Sequence, residues 1–234
     1  MQLRTRRQRG ATLLVVMTMV LLATLLVLGS ARTAWFNELI TGTEADYQRA
    51  FDNAQALLRD AELDIQGRRP GGSPCRNEPE LAGSCRNRGS SALARGQSWY
   101  PQEGPSEFEA LRAWLASKAP SCVQGICVPD QVAPEFWRQP QRELDKMKAS
   151  AAHYGEFSSA PSVQASNPLL MSKGWYWVEV LPFNTGAPAP PSAQALVPDA
   201  DNPYVFRITV LAEGRKPATR SVLQTLFIWK KLDS

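Results

Sequence analysis

The chain has few of the residues and motifs on which enzyme active sites depend. It contains a single histidine, His153, and a lone histidine beside a helix is usually a structural or surface residue. The sequence has no G-x-S-x-G turn, no G-x-G-x-x-G or Walker loop and no H-E-x-x-H pair. The common hydrolase, nucleotide-binding and zinc-protease signatures are therefore absent. We predict a protein that is not an enzyme and that has no cofactor.

Cysteine is also scarce, and its spacing argues against a metal site. The spacings C-x9-C and C-x4-C together fit zinc poorly, and neither pair is the C-x-x-C of a redox motif. Four cysteines allow three pairings, and we favour the two local ones because each closes a loop marked by Gly and Pro. The predicted disulfides are Cys75–Cys85 and Cys122–Cys127, with no metal bound.

Charge is missing from one long stretch, which lies between Arg9 and Arg32. Within it, Ala11 to Ala31 is an apolar run of 21 residues. As a helix this run is about 31 Å long, enough to cross a hydrocarbon core of about 30 Å. Its polar members are small hydroxyl residues that a helix can absorb: Thr12, Thr18, Thr24 and Ser30.

The segment before this run carries positive charge alone. Arg4, Arg6, Arg7 and Arg9 precede Gly10 without any acid. The N-terminus is therefore expected to stay in the cytoplasm and the rest of the chain to lie beyond the membrane. A secretory signal peptide has the same basic start, but its apolar core is about 7–15 residues long. These residues alone leave a plain signal anchor open.

The apolar run continues into an amphipathic helix rather than a loop. From Glu44 to Gln66 there is no Gly or Pro, and apolar residues recur at steps of three and four, which predicts one buried stripe. Gly29 and residues 41–43 are interpreted as bends, and Asn53 and Asp60 are assigned to the polar faces. The stripe comprises Tyr47, Ala50, Phe51, Ala54, Leu57, Leu58, Ala61 and Ile65.

The combination of a basic segment ending in Gly10, an apolar helix and an amphipathic continuation resembles the N-terminus of type IV prepilins. The segments RQRGATLLVV, ARTAWFNELITGTEADYQRAFDNAQALLRDAE and YVFRITVLAEGRKPATRSVLQTLF are similar to PilX-type minor pilins. This resemblance implies a prepilin leader over residues 1–10 and a membrane-spanning and amphipathic spine helix over residues 11–66. A periplasmic globular pilin domain follows over residues 67–234.

The resemblance also implies a role and a location. The leader is expected to be removed after Gly10 and the new N-terminus, Ala11, to be methylated. Most pilins carry Glu at the fifth mature position, which here is Val15. Its absence favours a specialised subunit, held first in the inner membrane and then at or near the pilus tip. The implied partners are other minor pilins, the major pilin and a PilY-family tip adhesin, in a complex that supports pilus assembly, adhesion and twitching motility.

Two other functions stay open. In a signal-anchored periplasmic binding protein or enzyme the helix is only a tether, but a tether is normally followed by a flexible polar segment. The tip pseudopilin of a type II secretion system also lacks the fifth-position Glu. That family usually carries a large inserted helical domain, and about 170 residues leave little room for one.

The excess of positive charge is no argument for nucleic acid as a partner. The chain has 26 Lys and Arg against 22 Asp and Glu, and four arginines lie before Gly10, so the remainder is balanced. Residues 67–95 are interpreted as a long solvated loop that a Cys75–Cys85 bridge ties, with a DNA or phosphate contact as the alternative. The arginines of this loop are Arg68, Arg69, Arg76, Arg86, Arg88 and Arg95.

The rest of the chain predicts an α+β, pilin-like fold with an antiparallel sheet packed on the spine helix. Ser106 and Glu109 form a capping box at the start of one helix, and residues 141–152 form another. Residues 184–203, rich in Pro, are predicted to be an exposed linker. The predicted strands are residues 174–183, 204–213 and 221–230.

The first of these strands carries an unusual set of side chains. Trp175, Tyr176 and Trp177 could stack on a sugar or a base, but aromatics on a strand are more often core and edge cover. Glu179 is expected to face solvent or to pair with Arg207 rather than to act as a general acid.

Overall fold

A helix of 59 residues, α1 (Gln8–Gln66), opens the chain. The structure, a computed structural model, describes residues 8–76, 85–87, 89–101, 104–129, 131–159, 170, 173–184, 186 and 190–230. The chain divides into two compact units, residues 1–46 and 47–234. The long N-terminal helix and a globular part that contains a sheet give the α+β, pilin-like fold that the sequence predicts.

After α1, the described part of the second unit contains three further helices, two 3-10 turns and five strands. The helices are α2 (Gly89–Ala94), α3 (Pro105–Ala116) and α4 (Gln141–Ala149), with 3-10 turns at Phe136–Arg138 and Pro191–Leu196. The strands are β1 (Cys122–Val123), β2 (Ile126–Cys127), β3 (Gly174–Pro182), β4 (Tyr204–Glu213) and β5 (Arg220–Phe227).

The five strands form one sheet in the order β1-β2-β3-β4-β5. The three long strands pair antiparallel, as the sequence predicts. The sheet also contains two short strands that the sequence did not predict, and one of them, β2, joins β3 in parallel, so the whole sheet is mixed. The short β1–β2 hairpin lies in the segment that the sequence indicated only as a disulfide loop. A two-residue strand is too short to show alternation, so its pairing with β3 left no pattern to read.

Both faces of the sheet are covered, which is why β3 is buried from Gly174 to Val180. On one face the apolar stripe of α1 packs with α3, and the fully buried Leu57 belongs to this core. On the other face α4 and the first 3-10 turn cover Trp175 and Trp177. The structure therefore assigns Trp175, Tyr176 and Trp177 to the core, at 9%, 0% and 2% exposure. They are not available for stacking on a ligand.

Several local predictions need correction. The capping box at Ser106 is wrong, since α3 begins at Pro105, after Gly104, with no side-chain cap. Pro105 at the first helical position has no backbone N–H and has a fixed φ that suits the start of a helix. The loop over residues 67–95 contains α2, and the linker over residues 184–203 contains a 3-10 turn.

Candidate functional site

In the first unit, α1 exposes apolar side chains on every side. Its large hydrophobic residues from Leu13 to Leu28 are 48–74% exposed. The hydroxyls of Thr18, Thr24 and Ser30 donate to carbonyls three residues earlier, at 2.8–2.9 Å, so these polar groups need no outside partner. Among the described residues one helix, α1, is long and apolar enough to span a membrane. Such a surface suits lipid or the apolar face of another helix.

The predicted processing residues lie at the start of this helix. Gly10 and Ala11 belong to α1, and residues 1–7 of the predicted leader lie outside the described residues. Val15 follows about one turn later and is 48% exposed. The fifth position of the predicted mature chain therefore presents an apolar surface.

In the second unit, α1 buries charge as well as apolar surface. Ala50, Ala54, Leu57, Ala61 and Ile65 of the predicted stripe are at most 1% exposed. The assignment of Asn53 and Asp60 to solvated faces is wrong: the buried polar residues of this part of α1 are Asn53, Asp60 and Asp64, at 5%, 2% and 2% exposure.

Asp64 is the centre of a buried hydrogen-bond network. Nε of Arg86 lies 3.0 and 3.1 Å from its two carboxylate oxygens, and Nη2 donates to Oδ2 at 2.7 Å. The hydroxyls of Tyr100 and Tyr176 donate to the same Oδ2, each at 3.0 Å. The fork of the guanidinium and two phenols therefore satisfy a carboxylate that has no exposed side-chain surface. We call Asp64, Arg86, Tyr100 and Tyr176 the polar lock.

Arg86 makes further contacts beyond Asp64. Nη1 donates to Oγ of Ser98 at 2.8 Å, and Nη2 donates to the carbonyl of Gln124 at 3.0 Å. The guanidinium carbon lies 3.7 Å from the centre of the Phe157 ring, a cation–π contact in a dry site. One side chain thus joins α1 to the β1–β2 hairpin and to the loop that follows α4.

The charges of the polar lock are fixed by their neighbours. Burial acts to lower the pKa of Arg86, but Asp64 and the two tyrosines outweigh it and leave that pKa raised, so the guanidinium stays charged. Burial, and then the Asp64 carboxylate, raise the pKa values of Tyr100 and Tyr176 well above their ordinary value. Both phenols therefore stay protonated at neutral pH and can donate to the carboxylate.

Asp60 lies one turn before Asp64 and binds a different segment. Its carboxylate accepts hydrogen bonds from the backbone N–H of Gly155, at 2.8 Å, and from the hydroxyl of Ser158. Burial raises the pKa of Asp60 to about 6, although both hydrogen bonds act to lower it, and the nearby Asp64 raises it further. Unlike Asp64, it has no basic partner among these contacts.

Both cysteine pairs expected from the spacing are bonded in the structure. Cys75–Cys85 and Cys122–Cys127 have S–S distances of 2.08 and 2.05 Å. The first bond fixes Cys85, the residue next to Arg86. The second crosses the β1–β2 hairpin, whose turn residue Gln124 supplies the carbonyl that Arg86 binds. A native disulfide contributes typically about 2–5 kcal/mol to stability, and here both bonds lie beside partners of the polar lock.

Gly125, in the turn of this hairpin, shows how closely the lock is packed. Its φ is 78°, and a Cβ there would lie 2.7 Å from the Cβ of Ala152 and 3.0 Å from the carbonyl of Tyr176. Only glycine combines a positive φ with this approach. The hairpin can therefore sit against β3 and present the carbonyl of Gln124 to Arg86.

Sequence reasoning missed the polar lock. It interpreted Arg86 as part of a solvated, arginine-rich loop, whereas its side chain is 5% exposed. Two signals were available: acids four residues apart beside an apolar stripe, and an arginine directly after a cysteine. Neither identifies a partner, because the lock joins residues 22 to 112 positions apart.

The two remaining candidate residues, His153 and Glu179, have structural roles. Nδ1 of His153 lies 3.1 Å from the carbonyl of Gly174. Glu179 pairs with Arg207 through two bonds of 2.6 Å and is buried, so of the two expected roles the ion pair is the one the structure has, and Glu179 does not face solvent. In the part of the chain that the structure describes, no group of three or more His, Cys, Asp or Glu could hold a metal ion.

The polar lock predicts a large loss of stability when Arg86 is removed. Arg86→Met leaves the buried carboxylate of Asp64 without its counter-charge, and the free energy of unfolding of the full-length protein should fall by about 3–5 kcal/mol. Lys146→Met is the matched control, because Lys146 forms an exposed pair with Glu143 and should cost about 0–1 kcal/mol. Urea unfolding followed by tryptophan fluorescence measures both. Equal losses of unfolding free energy in the two variants would show that the buried pair of Arg86 and Asp64 stabilises the protein no more than an exposed pair does.

Asp60 predicts a specific dependence of stability on pH. Its pKa of about 6 in the folded state exceeds the ordinary 3.8, so the folded state binds the proton more tightly. The stability that this proton contributes is fully present below about pH 4 and is lost as pH rises through about pH 6.

Asp60→Asn should remove about 2–3 kcal/mol of the change in unfolding free energy with pH, because the amide keeps a hydrogen-bond acceptor and never ionises. Asp145→Asn, at an exposed acid of α4, is the control and should leave the pH profile unchanged. Unfolding free energies measured between about pH 4 and pH 7 test this. A wild-type profile that Asp60→Asn does not flatten contradicts the assignment.

Comparison with known proteins identifies the family. Residues 82–228 match the family model described as Type IV pilus assembly protein PilX C-term. This match includes three members of the polar lock, Arg86, Tyr100 and Tyr176, and both strands of the β1–β2 hairpin. No curated protein matches the chain, and no solved structure does. Since the family model covers more than half of the chain, the protein belongs to the PilX family of type IV pilus assembly proteins.

Proposed function

We propose that the protein is a minor pilin that primes assembly of the type IV pilus and occupies a place at or near the filament tip. In this proposal it starts in the inner membrane, with its N-terminus in the cytoplasm and its globular domain, residues 67–234, in the periplasm. The observation that carries the proposal is the combination of a PilX family match with an exposed apolar helix at the N-terminus.

Helix α1 supports an assembly role better than a role as a tether. A lipid anchor requires apolar residues for about 30 Å and nothing more. Here the same helix continues from the exposed apolar segment to a stripe that lies in the core of the second unit. In a filament, the apolar surface from Leu13 to Leu28 can pack against the helices of other subunits with the chemistry it has in lipid.

Val15 supports a place at or near the tip. An acid at this position in a pilin can neutralise the amine of a neighbouring subunit, and an unpaired acid at bilayer depth is costly. A subunit that has no neighbour on its distal side gains nothing from such an acid. The apolar Val15 suits that position.

The proposed partners follow from this placement. The spine helix, residues 11–66, contacts other minor pilins and the major pilin, and the globular domain determines which neighbours are accepted. A PilY-family adhesin is the proposed distal partner. The disulfide-bonded β1–β2 hairpin is compatible with an oxidising compartment such as the periplasm.

Removal of the leader after Gly10 is the first test. A peptidase on the cytoplasmic side should cut between Gly10 and Ala11, and the mature chain should begin with a methylated Ala11. Intact-mass analysis of membrane-extracted protein measures both changes, and Gly10→Ala should block or slow them. An intact leader in cells with an active prepilin peptidase, or a cut near Ser30, would instead fit a signal-anchored protein.

Piliation tests the function itself. Deletion should lower the number of surface pili and twitching motility. Val15→Glu should restore piliation only partly, since an unpaired acid costs about 2.5–3.5 kcal/mol on membrane-insertion scales. Val20→Glu is the matched control, because it places the same acid on the same helix away from the fifth position.

The outcomes separate the parts of the proposal. Unchanged piliation in the deletion strain rules out the priming role. Full restoration of piliation by Val15→Glu but not by Val20→Glu means that the fifth position accepts an acid, which contradicts the tip argument. Immunogold label spread evenly along sheared filaments also contradicts the tip placement, while leaving the protein a pilin.

A further inference from the structure

An open cleft lies in the second unit, between the segment 132–137 and the sheet. Its cavity volume is about 420 Å³, within the range of about 300–1,000 Å³ that small-molecule sites occupy. One wall is polar and belongs to β3, β4 and β5, and the other is largely apolar and belongs to the segment that contains the first 3-10 turn. The assembly role proposed above does not depend on this cleft.

The polar wall consists of two cross-strand pairs side by side. Glu179 and Arg207 are opposite each other on β3 and β4, and two bonds of 2.6 Å join them. Thr209 and Gln224 are opposite each other on β4 and β5, and Nε2 of Gln224 donates to Oγ1 of Thr209 at 2.9 Å. Arg207 and Thr209 are two residues apart on one strand, so both pairs face the same side of the sheet.

The apolar wall presents an aromatic side chain that is held in place. Trp137 lines the cleft and is half-buried, and its ring centre lies 5.3 Å from that of the buried Phe136. Phe136 in turn packs edge-on against Trp177, at 4.7 Å. Nη1 of Arg220 donates to the carbonyl of Trp137 at 3.2 Å. These contacts fix the indole before any ligand arrives, which reduces the entropy lost on binding.

Charge decides which class of ligand fits. Three charged side chains line the cleft, Glu135, Glu179 and Arg207. Glu179 is neutralised by Arg207, and Glu135 pairs with Arg138 at 3.2 Å. Neither an anion nor a cation therefore meets an uncompensated charge. The wall instead offers a guanidinium, a carboxylate, an amide and a hydroxyl, which together supply hydrogen-bond donors and acceptors.

We propose that this cleft binds a neutral carbohydrate. One face of a sugar ring packs on the indole of Trp137, where its apolar C–H groups replace water. The ring hydroxyls bind the Glu179–Arg207 pair and the amide of Gln224, and hydrogen bonds to charged groups are the stronger ones. Arg207 is 37% exposed on its side chain and Glu179 is 9% exposed, so the guanidinium reaches the open side while the carboxylate is held below it.

The test uses the full-length protein in phosphatidylcholine nanodiscs, because maltoside and glucoside detergents carry sugars that would compete. The probes are methyl β-glucoside, N-acetylglucosamine and lactose, with glucosamine and N-acetylneuraminic acid as charged comparisons. Saturation-transfer NMR and tryptophan fluorescence measure binding. We expect saturable binding of at least one neutral probe, with Kd of about 1 mM or lower, and weaker binding of the charged ones.

Substitutions then place the ligand in the cleft. Trp137→Ala should abolish binding and Trp137→Tyr should retain part of it, because an aromatic face remains. Gln224→Ala, at an exposed side chain, should raise Kd about tenfold by removing hydrogen bonds to the hydroxyls. Trp114→Ala and Gln141→Ala are the matched controls, since both residues lie outside the cleft and should leave Kd unchanged.

Three results overturn the proposal. The first is the absence of saturable binding of every neutral probe up to about 10 mM. The second is binding that Gln224→Ala and Trp137→Ala leave unchanged. The third is tighter binding of the anionic or cationic sugar than of any neutral one, which would mean that the Glu179–Arg207 pair does not act as a neutral unit. None of these results bears on piliation, so the assembly role is tested separately.

Discussion

The structure of the second unit depends on one buried carboxylate, Asp64, and on how its charge is satisfied. A lone carboxylate in a protein interior is costly, and a buried ion pair recovers that cost only when its geometry is good and the remaining hydrogen bonds are made. Here Arg86 supplies the counter-charge and Tyr100 and Tyr176 supply two further donors. These partners come from a loop, from the segment before α3 and from the central strand, so the charge of one helical residue fixes the positions of three other segments.

The sequence around these partners is explained by the need to hold them. Cys75–Cys85 fixes the residue before Arg86, and Cys122–Cys127 fixes the hairpin whose Gln124 carbonyl binds Arg86. Each bond closes a short loop, between cysteines that are 10 and 5 residues apart. Covalent loop closure therefore replaces part of the packing that a larger core would provide, and the disulfides are best understood together with the polar lock rather than as separate ties on surface loops.

Prediction from sequence succeeded where a pattern is local and failed where a partner is distant. Periodicity in the sequence predicts helix α1 and the three long strands, and the short loops between cysteines predict the cysteine pairs. These signals come from residues that are close together in the sequence. The apolar stripe was also visible, down to Ala50, Ala54 and Leu57. The charge of Asp60 and Arg86 led to the wrong prediction that both are exposed to solvent. Both are buried because residues distant in the sequence supply their hydrogen-bond partners. The parallel pairing of β2 with β3 was hidden for a related reason, since the partners Ile126 and Val178 are far apart in the chain and β2 has only two residues.

The buried acids Asp60 and Asp64 also determine the register of α1 on the sheet, which the apolar stripe leaves open. Ala50, Ala54 and Ala61 are small and lie one and then two helical turns apart on the same face, so apolar contacts alone discriminate weakly between neighbouring registers of α1 on the sheet. Asp60 and Asp64 are one turn apart but bind different groups, the first a backbone N–H and a hydroxyl, the second a guanidinium and two phenols. A shift of α1 by one turn would bring one acid to the other's partners and leave the second without any. The apolar residues of α1 hold the helix on the sheet without selecting one register. The cost of an unpaired buried charge, several kcal/mol, selects the register.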